Sequence, residues 1–347
     1  MVGPKNSVPR AMVVLLLVLA GTLILGLAEA RAQGILDLYG EENVGTAGAQ
    51  FLRLPAGARA AGLGQAAVAS STDGASLFWN PAATLRTVGR RNMFFGHTEY
   101  AAGIGVEHAA YHWRHQNYGF GLTAGMLRSG DIPRTTELYQ EGTGTTFRAD
   151  MYVLGLTVAR AMTDRFSIGV TAKYYQENLD EFEIRAPLMD LGVLYYVGLG
   201  DLRVGFAVRN FGPDLKPGGT PPPIDGDYSE IRDFQSFSAP TSGSFGTCYT
   251  WGLSDKVRLE TSADFHHPTD YSESFRLGGE LDLDGLLFLR MGKETNRDEG
   301  GFSAGFGVGA ERDHWRLRMD YAVRDMGAFG TIHMFSVDVS PLIRRVR

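Results

Sequence analysis

The sequence predicts an all-β protein: a transmembrane antiparallel β-barrel of about 14 strands that follows an N-terminal plug or hatch segment. Three observations predict this fold. Apolar and polar residues alternate with a period of two after residue 90, turn residues separate these runs, and the longest connections fall at one end of the predicted sheet. We divide the chain into residues 1–32, 33–90 and 91–347, as signal peptide, plug or hatch segment, and barrel.

Residues 1–32 have the pattern of a secretory signal peptide. Lys5 and Arg10 precede an apolar run over residues 12–28, and small residues follow at Ala30 and Ala32. Cleavage is expected after one of these two alanines. A single anchoring helix is the alternative, because the apolar run is long for a signal.

The composition fits a barrel better than a helical membrane protein or a nucleic-acid-binding protein. The 347 residues include 45 glycines, and the mean hydropathy is -0.11. That hydropathy excludes a helical bundle, whereas a barrel dilutes its lipid-facing residues with lumen residues. The formal net charge of -6 argues against binding to nucleic acid. Cys248 is the one cysteine, so no intrachain disulfide can form.

Residues 45–85 lack the alternation of the later chain. Small residues dominate from Gly57 to Ser71 and allow the backbone to approach its neighbours closely. Asp73, Asn80 and Pro81 supply turn and cap chemistry at the far end. The pattern predicts a compact segment inside the barrel.

Two interpretations of this plug or hatch motif remain open. The motif comprises Arg59, Gly62, Gly64, Asp73, Asn80 and Pro81. In the first interpretation, these residues fix a hatch that gates or occludes the lumen. In the second, they cap and turn a segment that is packed for stability alone.

Fourteen runs after residue 90 have strand character and are bounded by turn residues. Their predicted ranges are 91–98, 103–113, 117–128, 147–162, 165–178, 187–199, 201–211, 240–252, 256–266, 273–283, 286–294, 300–311, 314–325 and 329–340. The first, second and last alternate poorly, because His108, His112 and His333 fall among apolar residues there.

The better runs place apolar residues on one parity and charged residues on the other. A soluble sandwich also alternates, so the connections decide. The long links, 129–146 and 212–239, both follow odd-numbered strands. Short turns at one end, long loops at the other and an even strand count are typical of an outer-membrane barrel, with the short turns and both termini in the periplasm.

The charged parity of these strands faces the predicted lumen. The candidate lumen charges are Arg258, Glu260, Arg276, Glu280, Arg316, Arg318 and Asp320. They could line a polar channel or a docking surface for cargo. The alternative, which the cost of burying unpaired charges favours, is a network of ion pairs that clamps the plug.

The sequence does not predict an enzyme, a metal site or a cofactor. His266 and His267 near Asp264 and Asp270 resemble ligands, but adjacent strand residues point to opposite faces. Residues 305–309 resemble a phosphate loop without the helix that such a loop requires.

Both ends of the predicted mature chain resemble one family. The run from Gly57 to Ala66, with Asp73-Gly74-Ala75 and Asn80-Pro81-Ala82, is similar to the N-terminal signature of the PorV/PorQ family. Residues 319–323 and 327–337 resemble the last hairpin of that family, which is itself similar to the FadL-type outer-membrane barrels.

The resemblance implies a location in the outer membrane and two roles. The first is that of an accessory of type IX protein secretion, with secretion-system components and exported cargo proteins as partners at the cell surface. The second is FadL-like transport of hydrophobic small molecules. A structural outer-membrane protein without transport is a third possibility, and outer-membrane lipid is a partner in each.

Overall fold

A computed structural model describes residues 44–87, 89–100, 103–219, 234–296, 300–312 and 314–341. The predicted signal peptide and the start of the predicted plug segment lie outside these residues. Among the helices of the described ranges, none is long and apolar enough to cross a membrane.

Fourteen antiparallel strands close into a barrel, in which successive strands are neighbours and the last strand pairs with the first. The barrel strands are β1 (Arg91–Glu99), β2 (Gly105–His115), β3 (Tyr118–Arg128), β6 (Ala149–Ala161), β7 (Phe166–Leu179), β8 (Phe182–Tyr196), β9 (Arg203–Phe211), β10 (Ser242–Gly252), β11 (Val257–Pro268), β12 (Ser274–Leu283), β13 (Leu287–Glu294), β14 (Phe302–Arg312), β15 (Trp315–Asp325) and β16 (Thr331–Pro341). Between β3 and β6, β4 (Ile132–Pro133) and β5 (Thr146–Phe147) form a separate small hairpin. The predicted antiparallel β-barrel of 14 strands is therefore confirmed.

Each predicted run coincides with one barrel strand, and the largest difference is at β8. That strand begins at Phe182, because its hairpin with β7 continues to the pair Leu179 and Phe182. Asp180 closes the turn with a left-handed φ of 55°. The sequence did not reveal this extension, because Glu183 and Arg185 place charges on the outer parity, where a strand within the bilayer would carry apolar residues.

The two ends of the barrel differ. The long connections after β3 and β9 lie at the end that we call the loop end. The connections after β2, β6, β8, β10, β12 and β14 are short and lie at the opposite end, which we call the short-turn end. The connection after β15 contains a short 3-10 helix, η3 (Gly327–Phe329), which also lies at the loop end.

The described N-terminal segment, residues 44–87, consists of four short helical elements joined by turns. In chain order these are the 3-10 helix η1 (Gln50–Arg53), the α-helices α1 (Ala58–Gly62) and α2 (Ser76–Trp79), and the 3-10 helix η2 (Pro81–Leu85). Asn80 caps η2, since its side-chain oxygen accepts a hydrogen bond from the Ala82 nitrogen at 3.1 Å and Pro81 occupies the first position. We call residues 44–87 the N-terminal segment.

The strands with weak alternation are present as β1, β2 and β16. In β1 the burial pattern alternates strictly, with Phe94 buried and Phe95 exposed. His108 and His112 point inward and are buried, whereas His333 lies on the outer wall and its Nδ1 is 2.8 Å from the Tyr321 hydroxyl. The apolar residues on the inward parity of these strands pack against the N-terminal segment, which explains the weak pattern.

Substituting an outer-wall residue tests the facing of the strands. Leu156, on the outer wall of β6, is 63% exposed. We expect Leu156→Arg to destabilise the folded barrel by about 2–4 kcal/mol, the cost of a cation in mid-bilayer hydrocarbon. Each variant is refolded into lipid vesicles, and its folded fraction is measured by heat-modifiability over a series of urea concentrations.

Leu286 provides the matched control, because it is 61% exposed but lies in the turn between β12 and β13. Leu286→Arg should leave the urea midpoint unchanged. Equal effects of the two substitutions would contradict the assignment of the β6 outer face to lipid.

Candidate functional site: the lumen and its N-terminal segment

Inward-facing side chains of the barrel bind backbone N–H groups of the N-terminal segment. Such groups need partners, because an irregular segment at membrane depth has no water to satisfy them. The donor and acceptor pairs are Ala58 N to Ser336 Oγ at 3.2 Å, Gly64 N to Ser303 Oγ at 3.0 Å, Val68 N to Asp264 Oδ2 at 2.9 Å and Gly74 N to Asp338 Oδ2 at 2.7 Å. The acceptors come from β16, β14 and β11, so the segment is attached to several sides of the wall.

Arg59 of α1 carries a positive charge to the inner wall and is only 3% exposed. Its Nε donates to Glu280 Oε2 at 3.0 Å, and its Nη2 donates to Glu260 Oε1 at 2.7 Å. Its Nη1 donates to the Ser70 carbonyl at 3.0 Å, within the segment itself. The guanidinium group therefore joins the segment to β11 and β12.

Glu280 is the centre of the surrounding charge network. Besides Arg59 it accepts from Arg290 Nε at 2.5 Å and from Arg318 Nη2 at 3.0 Å. Asp320 in turn lies 2.8 Å from Arg290 Nη2 and 2.9 Å from Arg318 Nε. These alternating charges tie β12, β13 and β15 together behind the segment.

Asp73 of the segment adds a further acid near this network. Burial raises the pKa of its carboxyl, while the positive charges of Arg59 and Arg318 oppose that rise. Its Oδ1 has no hydrogen-bond partner within the described residues. Asp73 thus contributes by charge, and its backbone carbonyl accepts from the Ser76 nitrogen at 3.2 Å.

Glycines of the inner wall allow the segment to lie directly on the strands. A Cβ added at Gly292 would lie 2.0 Å from the Gly64 nitrogen, and one added at Gly64 would lie 2.6 Å from the Lys293 nitrogen. Gly64 also has a φ of +64°, which disfavours any side chain. Gly62 is less confined, since an added Cβ would approach the Gly305 Cα to 3.4 Å.

Asn80 and Pro81 make a second close contact, with β7 and β8. The Asn80 Nδ2 donates to the Val193 carbonyl at 3.0 Å and to the Val68 carbonyl at 2.9 Å. A Cβ added at Gly169 would lie 2.6 Å from the Pro81 carbonyl carbon, and one added at Gly192 would lie 2.2 Å from the Asn80 Oδ1. Asn80 therefore caps a helix, holds the segment's own turn and binds the wall.

The lumen beside β2, β3 and β6–β8 is filled by apolar side chains. Phe51 of η1 packs there in a buried cluster with Val106, Leu127, Val153, Tyr175, Ile184, Leu188, Leu215 and Ala239. Leu215 and Phe237 form a bridge in the connection after β9, which covers this cluster at the loop end. A cavity of only about 30 Å³ separates η1 and α2 from the wall. We call this region the apolar half of the lumen.

A polar cavity of about 330 Å³ lies at the loop end beside β9–β16. Its floor is the segment at residues 50–55 and 65, and its walls carry Arg209, His266, Arg276, Glu294 and Arg324. Glu294 accepts from Arg276 Nε at 2.9 Å and pairs with Arg324. Arg209 donates to the Phe78 carbonyl at 3.3 Å and lies over the Trp79 ring. We call this cavity the vestibule.

The predicted lumen charges occupy different depths. Glu260, Glu280, Arg318 and Asp320 join the network around Arg59, whereas Arg276 belongs to the vestibule. Arg258 and Arg316 lie at the short-turn end and pair with Asp282 and Glu311. Whether any of them lines a polar channel or forms a docking surface for cargo remains a prediction.

The sequence reading of the site left out several residues that contact the segment. Asp338 and Ser336 were missed because β16 alternates poorly, and Gln65 was missed because it lies in the small-residue run. The Gln65 amide lies against Glu294 and Arg324. Ser336 and Asp338 share the inward parity of β16, and this parity could have identified them from the sequence.

The histidine pair of β11 is divided between the two faces of the sheet. His266 points inward and its Nδ1 lies 2.8 Å from Ser244 Oγ, while His267 lies 3.0 Å from Glu273 in the next connection. Over the described ranges, no group of three or more His, Cys, Asp or Glu side chains could hold a metal ion.

Removing the Arg59 charge tests the attachment of the segment. We expect Arg59→Met to loosen the segment by about 3 kcal/mol, because Glu260 and Glu280 each lose a buried partner. Limited proteolysis of the folded barrel should then cut near Arg53. Arg316→Met is the control, since Arg316 pairs at 3.6 Å with the exposed Glu311 at the short-turn end. Equal protection of both variants would contradict the anchoring role of Arg59.

Adding one methyl group to the inner wall tests whether the segment closes the lumen. Gly292→Ala should displace the backbone around Gly64 at a cost of about 1–3 kcal/mol and raise the conductance of a planar bilayer. Gly279→Ala is the control, because a Cβ there meets nothing within 4 Å. If Gly292→Ala remained as closed as Gly279→Ala, the segment would not be the barrier to ions.

Comparison with known families and structures agrees with this architecture. Residues 39–186 match the model of the family described as type IX secretion system protein PorV. No curated protein matches the chain. The matched range contains the N-terminal segment and the strands from β1 into β8.

Solved structures of hydrocarbon channels share the fold. The CymD monoaromatic hydrocarbon channel has a TM-score of 0.54 at 12% identity, over 84% of this chain and 98% of that one. The Ralstonia pickettii toluene transporter TbuX has a TM-score of 0.54 at 14% identity, over 83% of this chain and 98% of that one. The family match confirms the resemblance to the PorV/PorQ family, these solved structures share the fold, and the protein is an outer-membrane β-barrel.

Proposed function

We propose that this barrel is a non-enzymatic accessory of type IX protein secretion that engages exported cargo at the cell surface. The observation that carries the proposal is that the chain's own segment occupies the lumen, which leaves a polar vestibule and long loops at one end. The family match over residues 39–186 supports the same role.

The occupied lumen favours a role at the surface over passage through the barrel. The apolar half is filled by Phe51 and its neighbours, and the opposite half is crossed by the Arg59 network. A solute would have to displace both. A polypeptide that binds at the loop end would displace neither.

The loop end offers features that suit a polypeptide partner. Arg134 begins the turn of the β4–β5 hairpin, and its guanidinium binds Asp180 at 2.6 Å, which fixes the hairpin to the β7–β8 turn. The hairpin tip presents Leu138, which is 90% exposed, beside Tyr139. Exposed apolar and aromatic side chains on a fixed loop are typical anchors of protein interfaces.

The orientation in this proposal follows from the connections. Short turns face the periplasm in outer-membrane barrels and long loops face outward, so the vestibule and the β4–β5 hairpin would face the exterior. The predicted signal peptide would deliver the chain across the inner membrane.

FadL-like transport of hydrophobic small molecules is the second candidate. It is favoured by the fold shared with hydrocarbon channels and by the apolar cluster around Phe51. In that case the cluster would mark the position where a hydrophobic ligand enters once the N-terminal segment moves.

Cargo retention by loop variants separates these candidates. We expect the double substitution Leu138→Ser/Tyr139→Ser to lower co-purification of an exported protein that bears the C-terminal signal domain of the type IX system. The loss should be about tenfold, corresponding to about 1.4 kcal/mol, if the tip is an interface anchor.

Leu286→Ser is the matched control, since Leu286 is also well exposed, at 61%, but lies at the short-turn end, and cargo retention should not change. Full retention by the tip variant would argue against this interface. Detergent-resistant fatty acid in the purified protein, together with an absence of retained cargo, would favour transport instead.

A further inference from the structure

Six arginines gather at the short-turn end of β1–β7 and form what we call the basic arc. They are Arg86, Arg90, Arg91, Arg114, Arg160 and Arg165. Among the described residues of this sector, residues 86–92, 111–120 and 158–168, Asp164 is the one acid. Arg86 donates to the Asp164 backbone carbonyl at 2.7 Å and Arg114 donates to the Leu85 carbonyl at 2.6 Å, so neither contact neutralises a charge.

The opposite sector of the same rim carries balanced charge. Lys256 lies 3.0 Å from Asp284, across the turns after β10 and β12. Arg258 pairs with Asp282, and Arg316 lies 3.6 Å from Glu311. Within the part of the chain that the structure describes, the excess of positive charge at this rim is therefore confined to one side of the barrel.

Two arginines of the arc lie on the lipid-facing parity of the wall. Arg91 is opposite Trp113 in the register of β1 and β2, and Arg160 is opposite Tyr118 in the register of β3 and β6. The Arg160 guanidinium carbon is 5.5 Å from the centre of the Tyr118 ring. These charges consequently stand at the edge of the surface that meets lipid.

Aromatic side chains adjoin both arginines on the outer wall. The register places Arg91 in the row of Trp113 and Phe120, and it places Arg160 one row further toward the short-turn end, opposite Tyr118. Trp113 and Phe120 stack with ring centres 4.8 Å apart, and Tyr118 lies 6.4 Å from Phe120. The next row toward the middle of the barrel contains Leu122 opposite Leu156. Aromatic side chains of this kind sit at the headgroup level of a bilayer. The two arginines therefore lie at this aromatic level or one row beyond it, at the depth of lipid headgroups.

We propose that this part of the outer wall binds the phosphate headgroup of an anionic phospholipid in the adjacent leaflet. Arg91 on β1 and Arg160 on β6 flank the aromatic side chains of β2 and β3, and each binds headgroup oxygens on its own side, because a guanidinium group donates two parallel hydrogen bonds to a phosphate. Arg90 supports them by charge, and Trp113 and Phe120 contact the acyl chains. An acidic protein partner fits less well, since it would have to reach side chains that face hydrocarbon.

Tryptophan quenching by brominated lipids tests the site on the full chain. The background variant Trp251→Phe/Trp315→Phe leaves Trp113 as the tryptophan exposed on the outer wall, because Trp79 is buried in the lumen. The protein is reconstituted in mixed vesicles, with bromine either on phosphatidylglycerol or on phosphatidylcholine. We expect phosphatidylglycerol to bind next to Trp113 more tightly than phosphatidylcholine does. Its association constant should be roughly fivefold higher for each arginine that contributes to the site.

The triple substitution Arg90→Gln/Arg91→Gln/Arg160→Gln should reduce this preference to none. Lys256→Gln/Arg312→Gln, on the opposite sector of the rim, should leave it unchanged. Arg91→Lys/Arg160→Lys keeps the positive charge but loses the planar guanidinium group. It should therefore retain part of the preference for phosphatidylglycerol. Such partial retention would show that the loss in the triple variant is not a folding defect.

Two results would overturn the proposal. The first is equal quenching by the two brominated lipids in the background variant, which would instead direct attention to an acidic periplasmic protein. The second is an undiminished preference in the triple variant. Heat-modifiability of every variant confirms that the barrel is folded before quenching is measured.

Discussion

The buried charge of Arg59 is the interaction on which the interior of this barrel depends. A guanidinium group cannot lie at membrane depth without anionic partners, because desolvation of an isolated charge costs far more than packing returns. Glu260 and Glu280 supply those partners, and Glu280 also pairs with Arg290 and Arg318. The position of α1 in the lumen and the register of strands β11–β15 therefore depend on each other.

The lumen is divided chemically by this arrangement. The wall from β11 to β15 meets the segment through ion pairs, while β2, β3 and β6–β8 meet it through Phe51 and other apolar side chains. A shared fold does not by itself determine what the interior of a barrel does. Here the distribution of charge and the occupied apolar half are what favour a surface role over transport.

The strand pattern was readable from sequence where the inner face is polar and weak where it is apolar. In β11 and β15 the charged parity faces the lumen, so alternation revealed both the strands and their facing. In β1 and β2, Phe94 and Val106 face inward because the N-terminal segment covers them, and alternation fades. The alternation of apolar and polar residues is expected when water fills the lumen. It weakens where a protein segment fills the lumen instead.

The sequence predicted which residues belong to the candidate site but not where they lie relative to one another. Arg59 and Glu280 were both identified, yet parity gives only the face on which a side chain lies and not its depth along the barrel. Arg316 and Arg318 share a parity, but one lies at the rim and the other meets Glu280. The Gly64 contact with Gly292 depends on the position of α1 in the lumen, which no local feature of the sequence encodes.

The hydrogen bond from Gly74 to Asp338 joins residues 264 positions apart, and Arg59 meets Glu280 across 221 positions. The segment precedes all fourteen barrel strands in the chain, whereas β16, which carries Ser336 and Asp338, is the last of them. Contacts of such high sequence separation form slowly, because the loop they close must first lose its conformational freedom. Since β16 also closes the sheet by pairing with β1, closure of the barrel and burial of the segment depend on the same strand.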